Sequence, residues 1–303
     1  MLKKHGKSFQ FAGNFLTREA YGRCARLYRF CRYLDDLSDE SADTTWAARE
    51  LEQIEIDLQQ NDHRDPVVAD FLKLARECEF SVDPAVELVR GVRGDLNGVE
   101  VQDEAELKRY AYRVAGTVGL LMCGALGVKD PAALPHAIDL GMAMQLTNIA
   151  RDVSKDAQSG RRYLPKTLFD SPPLNDALAA GAPALREDIR RAVQWLLAEA
   201  DLYYRSGVAG LAYLPPRARL GILVAARVYE AIGREIERKD LAVWEGRAMV
   251  SPKKKALIAA RALGSFCWQG GLRRKPLTHD AQLHRHLTGL SSAHLPALPA
   301  NES

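Results

Sequence analysis

What this chain lacks narrows its function before any motif is read. Its 303 residues contain no run of eighteen consecutive apolar residues, so no span of membrane-crossing type is expected. The start, MLKKHGKSFQFAG, is basic without an apolar stretch of signal-peptide length, which leads us to expect a soluble, cytoplasmic protein. Membrane contact is then limited to peripheral docking for product release. The five cysteines, Cys24, Cys31, Cys78, Cys123 and Cys267, are odd in number and include no CxxC pair, which argues against a disulfide framework or a zinc ribbon. Charge of one sign is also missing: 42 basic against 39 acidic residues give a net charge of +3, no reason to expect a nucleic-acid partner. The chain has no GxxxxGK[ST] loop, no GxGxxG after a strand and no GxSxG elbow, which argues against nucleotide, dinucleotide and serine-hydrolase chemistry. Strand-type alternation and fixed-length repeats are absent as well. The class is therefore all-α. With 47% hydrophobic residues and no dividing linker, we expect a single large helical domain over residues 1–272. A mobile tail, whose histidines look incidental, is expected over 273–303.

What is present is a patterned stretch at 141–165, GMAMQLTNIARDVSKDAQSGRRYLP. On a helix, Gln145, Asn148, Asp152 and Asp156 recur at steps of three and four and share one face. Leu146, Ile149, Ala150 and Val153 beside that row suggest a buried helix whose polar stripe needs partners. On spacing alone, a solvated face balanced by Arg151, Lys155 and Arg161 reads equally well.

Taken in order, the run HGKSF, with His5, Lys7 and Ser8, reads by itself as a flexible start. Thr17 looks like the N-cap of a helix to about Ser38. The ladder Ala20, Cys24, Leu27, Cys31, Leu34 is its buried seam, flanked by a row of Tyr28, Arg32, Asp35, Asp36 and Asp39. Further helices are expected at 44–60, 65–79 after Asp65-Pro66, 83–97 from Asp83-Pro84, and 104–126. Asp95 fits either a site acid or ordinary helix-end polarity. The small residues Ala115, Gly116, Thr117 and Gly119 fit either close helix approach or room for a bulky ligand. The helix carrying the opening stretch starts near Pro131 and Pro135 and ends at the Gly and Pro of SGRRYLP. A surface loop over roughly 166–184 and three helices near 185–208, 216–239 and 252–270 follow.

Two helices more than a hundred residues apart thus repeat one design: Asp35 with Asp39, and Asn148 with Asp152 and Asp156. Facing across a bundle cavity, these oxygens suit Mg²⁺, which completes its shell with phosphate oxygens. Without such a partner the acids would repel one another and raise their own pKa values. Arg32, Arg151, Lys7, Arg161 and Arg162 are the local cations expected beside a diphosphate. Loss of diphosphate from a long allylic chain would leave a carbocation, which requires a deep, dry pocket between helices.

The runs YRFCRYLDDLSDE, YAYRVAGTVG and MQLTNIARDVSKDAQSGRRYLP resemble signature segments of the squalene and phytoene synthase family, the head-to-head trans-prenyl transferases. HGKSF, YYRSGVAGLAYLP and VYEAIGREI with Trp244 and Arg247 downstream are similar too, so the resemblance covers about residues 5–270. It implies an isoprenoid synthase bundle with a central hydrophobic cavity. It also implies metal ligation by Asp35, Asp39, Asn148, Asp152 and Asp156 with Mg²⁺, or Mn²⁺ in its place. Tyr110 is implied beside these acids as a catalytic group. His5, Lys7, Ser8, Tyr28, Arg32, Gln145 and Arg151 are implied around the prenyl diphosphate head groups, with Tyr229 and Arg247 as further candidates. The N-terminus would then fold over the site. The wording of 110–165 and 203–252 is most similar to bacterial phytoene synthases, which implies condensation of two C20 geranylgeranyl diphosphates through prephytoene diphosphate to phytoene, without NADPH. Gly13 and Ala25 are expected at the far end of the cavity, leaving room for the C20 chain. A C15-using relative making dehydrosqualene, presqualene diphosphate, hydroxysqualene or squalene is the alternative. A silent assembly protein is disfavoured because every acid is present; a head-to-tail prenyltransferase or cyclase is disfavoured by YAYRVAGTVG and QLTNIARD. Oligomeric state is left open.

Overall fold

Local sequence signals set several helix starts. Thr17 caps the first helix by accepting the Ala20 amide at 3.2 Å, Asp43 caps the second through the Thr45 and Trp46 amides, and Asp65 caps the third ahead of Pro66. In the computed structural model, residues 13, 15–39, 41, 43–62, 64–268 and 278–293 are described. They form eleven α-helices: α1 Arg18–Asp39, α2 Thr44–Gln60, α3 Pro66–Cys78, α4 Asp83–Gly94, α5 Glu104–Ala111, α6 Thr117–Ala125, α7 Ala133–Gln158, α8 Asn175–Ala180, α9 Arg186–Ala209, α10 Pro216–Arg238 and α11 Pro252–Trp268. The only strands among the described residues are β1, Val99–Glu100, and β2, Arg161–Arg162, paired in parallel.

Two hydrophobic clusters form the interior. One joins α1 through α4 with α6, α10 and α11; the other surrounds α7, α9 and the segment beyond residue 278. In α1 the ladder buries Cys24, Leu27 and Leu34, with Phe30 stacked on Phe71 at 4.0 Å between ring centres. Full burial of each such side chain stabilises by about 1.5–3 kcal/mol. Ala20 and Cys31 of the expected seam are only partly buried.

The expected helix over 104–126 is interrupted. Tyr112–Gly116 forms a single π-turn, with the Thr117 amide bonded back to the Tyr112 carbonyl, a feature often found beside functional sites. Small residues explain the packing here. A Cβ on Gly119 would lie 2.1 Å from the Ala137 carbonyl oxygen, and one on Gly141 would lie 2.2 Å from that of Ala115. Close approach to α7 therefore accounts for Gly119, and Ala115 and Gly119 also line the cavity described below.

The surface loop expected at 166–184 contains the short helix α8 and buries Phe169 and Leu178. The expectation of a mobile tail does not hold for residues 278–293. Leu287, Leu290 and Ala293 enter the core, and the segment is fixed by Arg109 to the Thr288 carbonyl at 2.8 Å and by Tyr203 to the Leu283 carbonyl at 2.8 Å. Its apolar residues are too few and irregular to show a helical period, which hid this docking from the sequence. No described helix is long and apolar enough to cross a membrane.

Gly141→Ala should force α7 away from the π-turn, at a cost of about 1–3 kcal/mol. Thermal denaturation followed by circular dichroism should show Tm falling by several degrees; an unchanged Tm would mean the contact is not tight.

Candidate active site

α7 carries the centre of the site. Its first residues face a cavity of about 350 Å³ that runs between α1, α6, α7, α9 and α10. Cavity-lining residues of α7 extend from Ala133 to Asn148, about 22 Å at 1.5 Å per residue. The walls are mostly small or apolar, and Tyr28, Gln145, Asn148 and Tyr229 bring polar groups to one end. Gly13 is among the residues that line this space. Ala25 is not: on α1 the lining residues are Cys24 and Tyr28, one helical turn apart on the inner face, and Ala25 is turned aside.

Beyond Asn148 the acids gather. Asp35 is raised to about 7, mainly by burial and next by the neighbouring Asp39. Asp156 is raised to about 7, by burial and then by Asp152. Asp95 responds to Asp39 and contributes to the shifts of both Asp35 and Asp156. The two acidic rows thus converge on one electrostatic site, with Asp95 between them. Burial also lifts Asp95, to about 6, although Arg161 and the hydroxyls of Tyr110 and Tyr163 draw it down. Tyr110 donates to Asp95 Oδ2 at 2.9 Å and stacks on Tyr163 at 4.7 Å.

Cations answer some of these charges. Arg161 reaches Asp39 at 3.0 Å, held in place by the pairing of β1 with β2. Arg247 meets Asp152 with Nε at 2.7 Å from Oδ1 and Nη2 at 2.8 Å from Oδ2, and Arg151 Nε lies 2.9 Å from Oδ1. Burial alone would raise Asp152; these two guanidinium groups outweigh it and hold the carboxyl below its usual range. Arg32 pairs with Asp36 on its own helix. Arg162 turns away from the site, donating to the Val101 and Leu164 carbonyls. Tyr229 is near Arg151, Arg247 and Asp152 and is shifted upward by burial. The positions of His5, Lys7 and Ser8 lie outside the described residues.

All the other expected site residues, Tyr28, Arg32, Asp35, Asp39, Tyr110, Gln145, Asn148, Arg151, Asp152, Asp156, Tyr229 and Arg247, lie on the cavity end or in this charged cluster. Of the two alternatives open for Asp95, site acid and helix-end polarity, the structure favours the first; Tyr163 alone escaped sequence reasoning. Tyr163 follows a turn; the only available signal was its place in the motif at 159–165.

The donor set fits a hard divalent cation. Among the described residues Asn148 Oδ1 is buried without a hydrogen-bond partner, while its amide donates to Gln145 at 3.3 Å. An unpartnered amide oxygen beside raised carboxylates is the arrangement that an oxygen-seeking ion satisfies. Because the folded carboxyls of Asp35 and Asp156 titrate above the unfolded value of 3.8, the metal-free fold loses stability as pH rises from about 4 to about 7. Mg²⁺ binds the deprotonated groups. The rise in Tm on adding Mg²⁺ should therefore be small near pH 5.5 and grow to a plateau above about pH 7.5, as read by differential scanning fluorimetry. A Mg²⁺ effect of equal size at both ends would contradict this arrangement.

Comparison with known proteins agrees with the geometry. The squalene/phytoene synthase family profile matches residues 2–254. The 15-cis-phytoene synthase of Pantoea ananas is 34% identical over 268 residues, spanning 84% of this chain and 86% of that one. That of Enterobacter agglomerans is 35% identical over 285 residues, spanning 90% and 96%. Among solved structures, a dehydrosqualene synthase in complex with ligand superposes with a TM-score of 0.75 at 25% identity, covering 88% of this chain and 94% of that one. A squalene synthase from Alicyclobacillus acidocaldarius shares the fold, with a TM-score of 0.69 at 23% identity and coverage of 78% and 90%. With its two acidic rows meeting at the end of an apolar cavity, the chain belongs to the squalene/phytoene synthase family.

Proposed function

We propose that this protein is a phytoene synthase: a prenyl transferase that joins two geranylgeranyl diphosphates head to head, first to prephytoene diphosphate and then to phytoene. The observation that carries the reading is the convergence of Asp35, Asp39, Asn148, Asp152 and Asp156 at the polar end of the long apolar cavity. The 15-cis-phytoene synthases at 34% and 35% identity support the C20 substrate. The neighbouring dehydrosqualene synthase structure keeps a C15 reading as the second candidate.

Asp35, Asp39, Asn148, Asp152 and Asp156 are the residues that would hold Mg²⁺. Bound there, the ion supplies Lewis-acid stabilisation of the departing diphosphate. This chain's own groups do the rest. Arg161 and Arg247, already engaged with Asp39 and Asp152, are placed to offer guanidinium donors to phosphate oxygens. Tyr28 and Tyr229 line the cavity, and where the allylic cation forms beside them their π faces would stabilise it. The apolar walls exclude water, which would otherwise quench that cation to an alcohol. Tyr110 Oη, bonded to Asp95 Oδ2 at 2.9 Å, is assigned to proton handling. An acceptor carboxyl near 6 is suited to take a proton at neutral pH.

Purified protein supplied with C15 and C20 diphosphates together and Mg²⁺ should yield a C40 hydrocarbon and free diphosphate, identified by mass spectrometry. Asp35→Asn and Asp152→Asn should each lower turnover at least about 100-fold with an unchanged circular dichroism spectrum. A C30 product alone would move the assignment to the C15 reading. No hydrocarbon from a folded, metal-loaded protein would overturn both.

A further inference from the structure

Behind the cavity wall lies a second polar cluster that the prenyl transfer does not use. Asp139 of α7 is fully buried. Its Oδ2 accepts the Ser206 hydroxyl from α9 and lies 2.9 Å from His279 Nε2, while Oδ1 lies 2.8 Å from His284 Nε2. One ligand atom from each of the three residues falls within 4.8 Å of the others. The cluster draws on two distant parts of the chain, the middle of α7 and the segment 278–293.

Full burial of a carboxylate is costly unless opposite charge answers it. Among the described residues Asp139 forms ion pairs with the two imidazoles and with no Lys or Arg. Burial pushes its carboxyl up, yet the imidazoles bring it below its usual range. The anionic form is therefore the one the site favours. The imidazoles keep 13% and 11% side-chain exposure, which leaves a path from solvent to the cluster.

We propose that Asp139, His279 and His284 form a binding site for a divalent transition metal of the zinc class, fastening residues 278–293 onto α7. Two imidazole nitrogens and one carboxylate oxygen match the preference of such an ion, whereas Mg²⁺ favours the all-oxygen set at the other end of α7. Ser206 supplies the outer hydrogen bond that orients a ligating carboxylate. Three protein ligands leave one position for water. The site sits against the substrate cavity. His136, whose ring meets that of His279 edge-on at 5.4 Å, lines the cavity, as do Leu140 and Gly207. Metal occupancy would stiffen that wall without touching the reacting groups.

The test titrates ZnCl₂ into full-length protein kept in excess Mg²⁺, which occupies the oxygen-ligand site. Metal content after gel filtration should reach about one zinc per chain, with Tm raised by several degrees. The double variant His279→Gln/His284→Gln retains amide donors for Asp139 but lacks imidazole, and should lose both effects. Asp35→Asn/Asp39→Asn should keep them. Cobalt(II) added to the unmutated protein gives an independent reading, since nitrogen ligation of low coordination number produces strong visible absorption. No zinc uptake, equal uptake by the His variant, or loss of uptake in the acidic variant would each overturn the proposal, as would a cobalt spectrum no stronger than that of the aqueous ion.

Discussion

Crowding of carboxylates at the end of the cavity is the constraint on which the rest of the structure depends. Asp35, Asp95, Asp152 and Asp156 are largely buried beside the exposed Asp39, and arginines meet Asp39 and Asp152 directly. Raising a buried carboxyl from 3.8 to about 7, as at Asp35 and Asp156, corresponds to on the order of 4 kcal/mol each. No fold keeps such an arrangement for stability. In the proposed reading a divalent cation and a diphosphate would together complete it: the ion would answer the acids, and the phosphate oxygens would answer the ion and the arginines.

The scaffold follows from holding those acids in register. α1 and α7 each present carboxylate or amide oxygens at helical spacing, so joint use of the two rows requires the helices to be set rigidly against each other. α7 is fixed by backbone-close packing at Gly119 and Gly141, and α1 by the stacked Phe30 and Phe71 in its own core. The cavity lies between the two hydrophobic clusters. An allylic cation formed at its polar end, as proposed, would be surrounded by the small and apolar residues that line the cavity, which exclude water.

Periodicity made α1 and α7 legible in the sequence, because three- and four-residue steps place Asp35 and Asp39, or Asn148, Asp152 and Asp156, on one face wherever the helix goes. Their meeting was inferred from shared chemistry and from family resemblance, not from spacing. Contacts between distant loops were illegible for a physical reason: they have no period. Arg161 reaches Asp39 only because β2 pairs with β1, a two-residue ladder too short to show alternation. Asp95 reads equally as a site acid or a helix end until Tyr110 donates to it. His279 and His284 read as tail residues until Asp139 collects them. The π-turn at Tyr112–Gly116 also hides inside an ordinary helical pattern.

The claim that α1 and α7 form one metal-diphosphate clamp is tested most directly by crystallography with Mn²⁺ and an unreactive thiolo analogue of geranylgeranyl diphosphate. Anomalous difference maps should place Mn²⁺ between the diphosphate and both acidic rows, touching Asp35 or Asp39 on one side and Asn148, Asp152 or Asp156 on the other. Manganese confined to one row, or diphosphate bound away from both, would contradict the account.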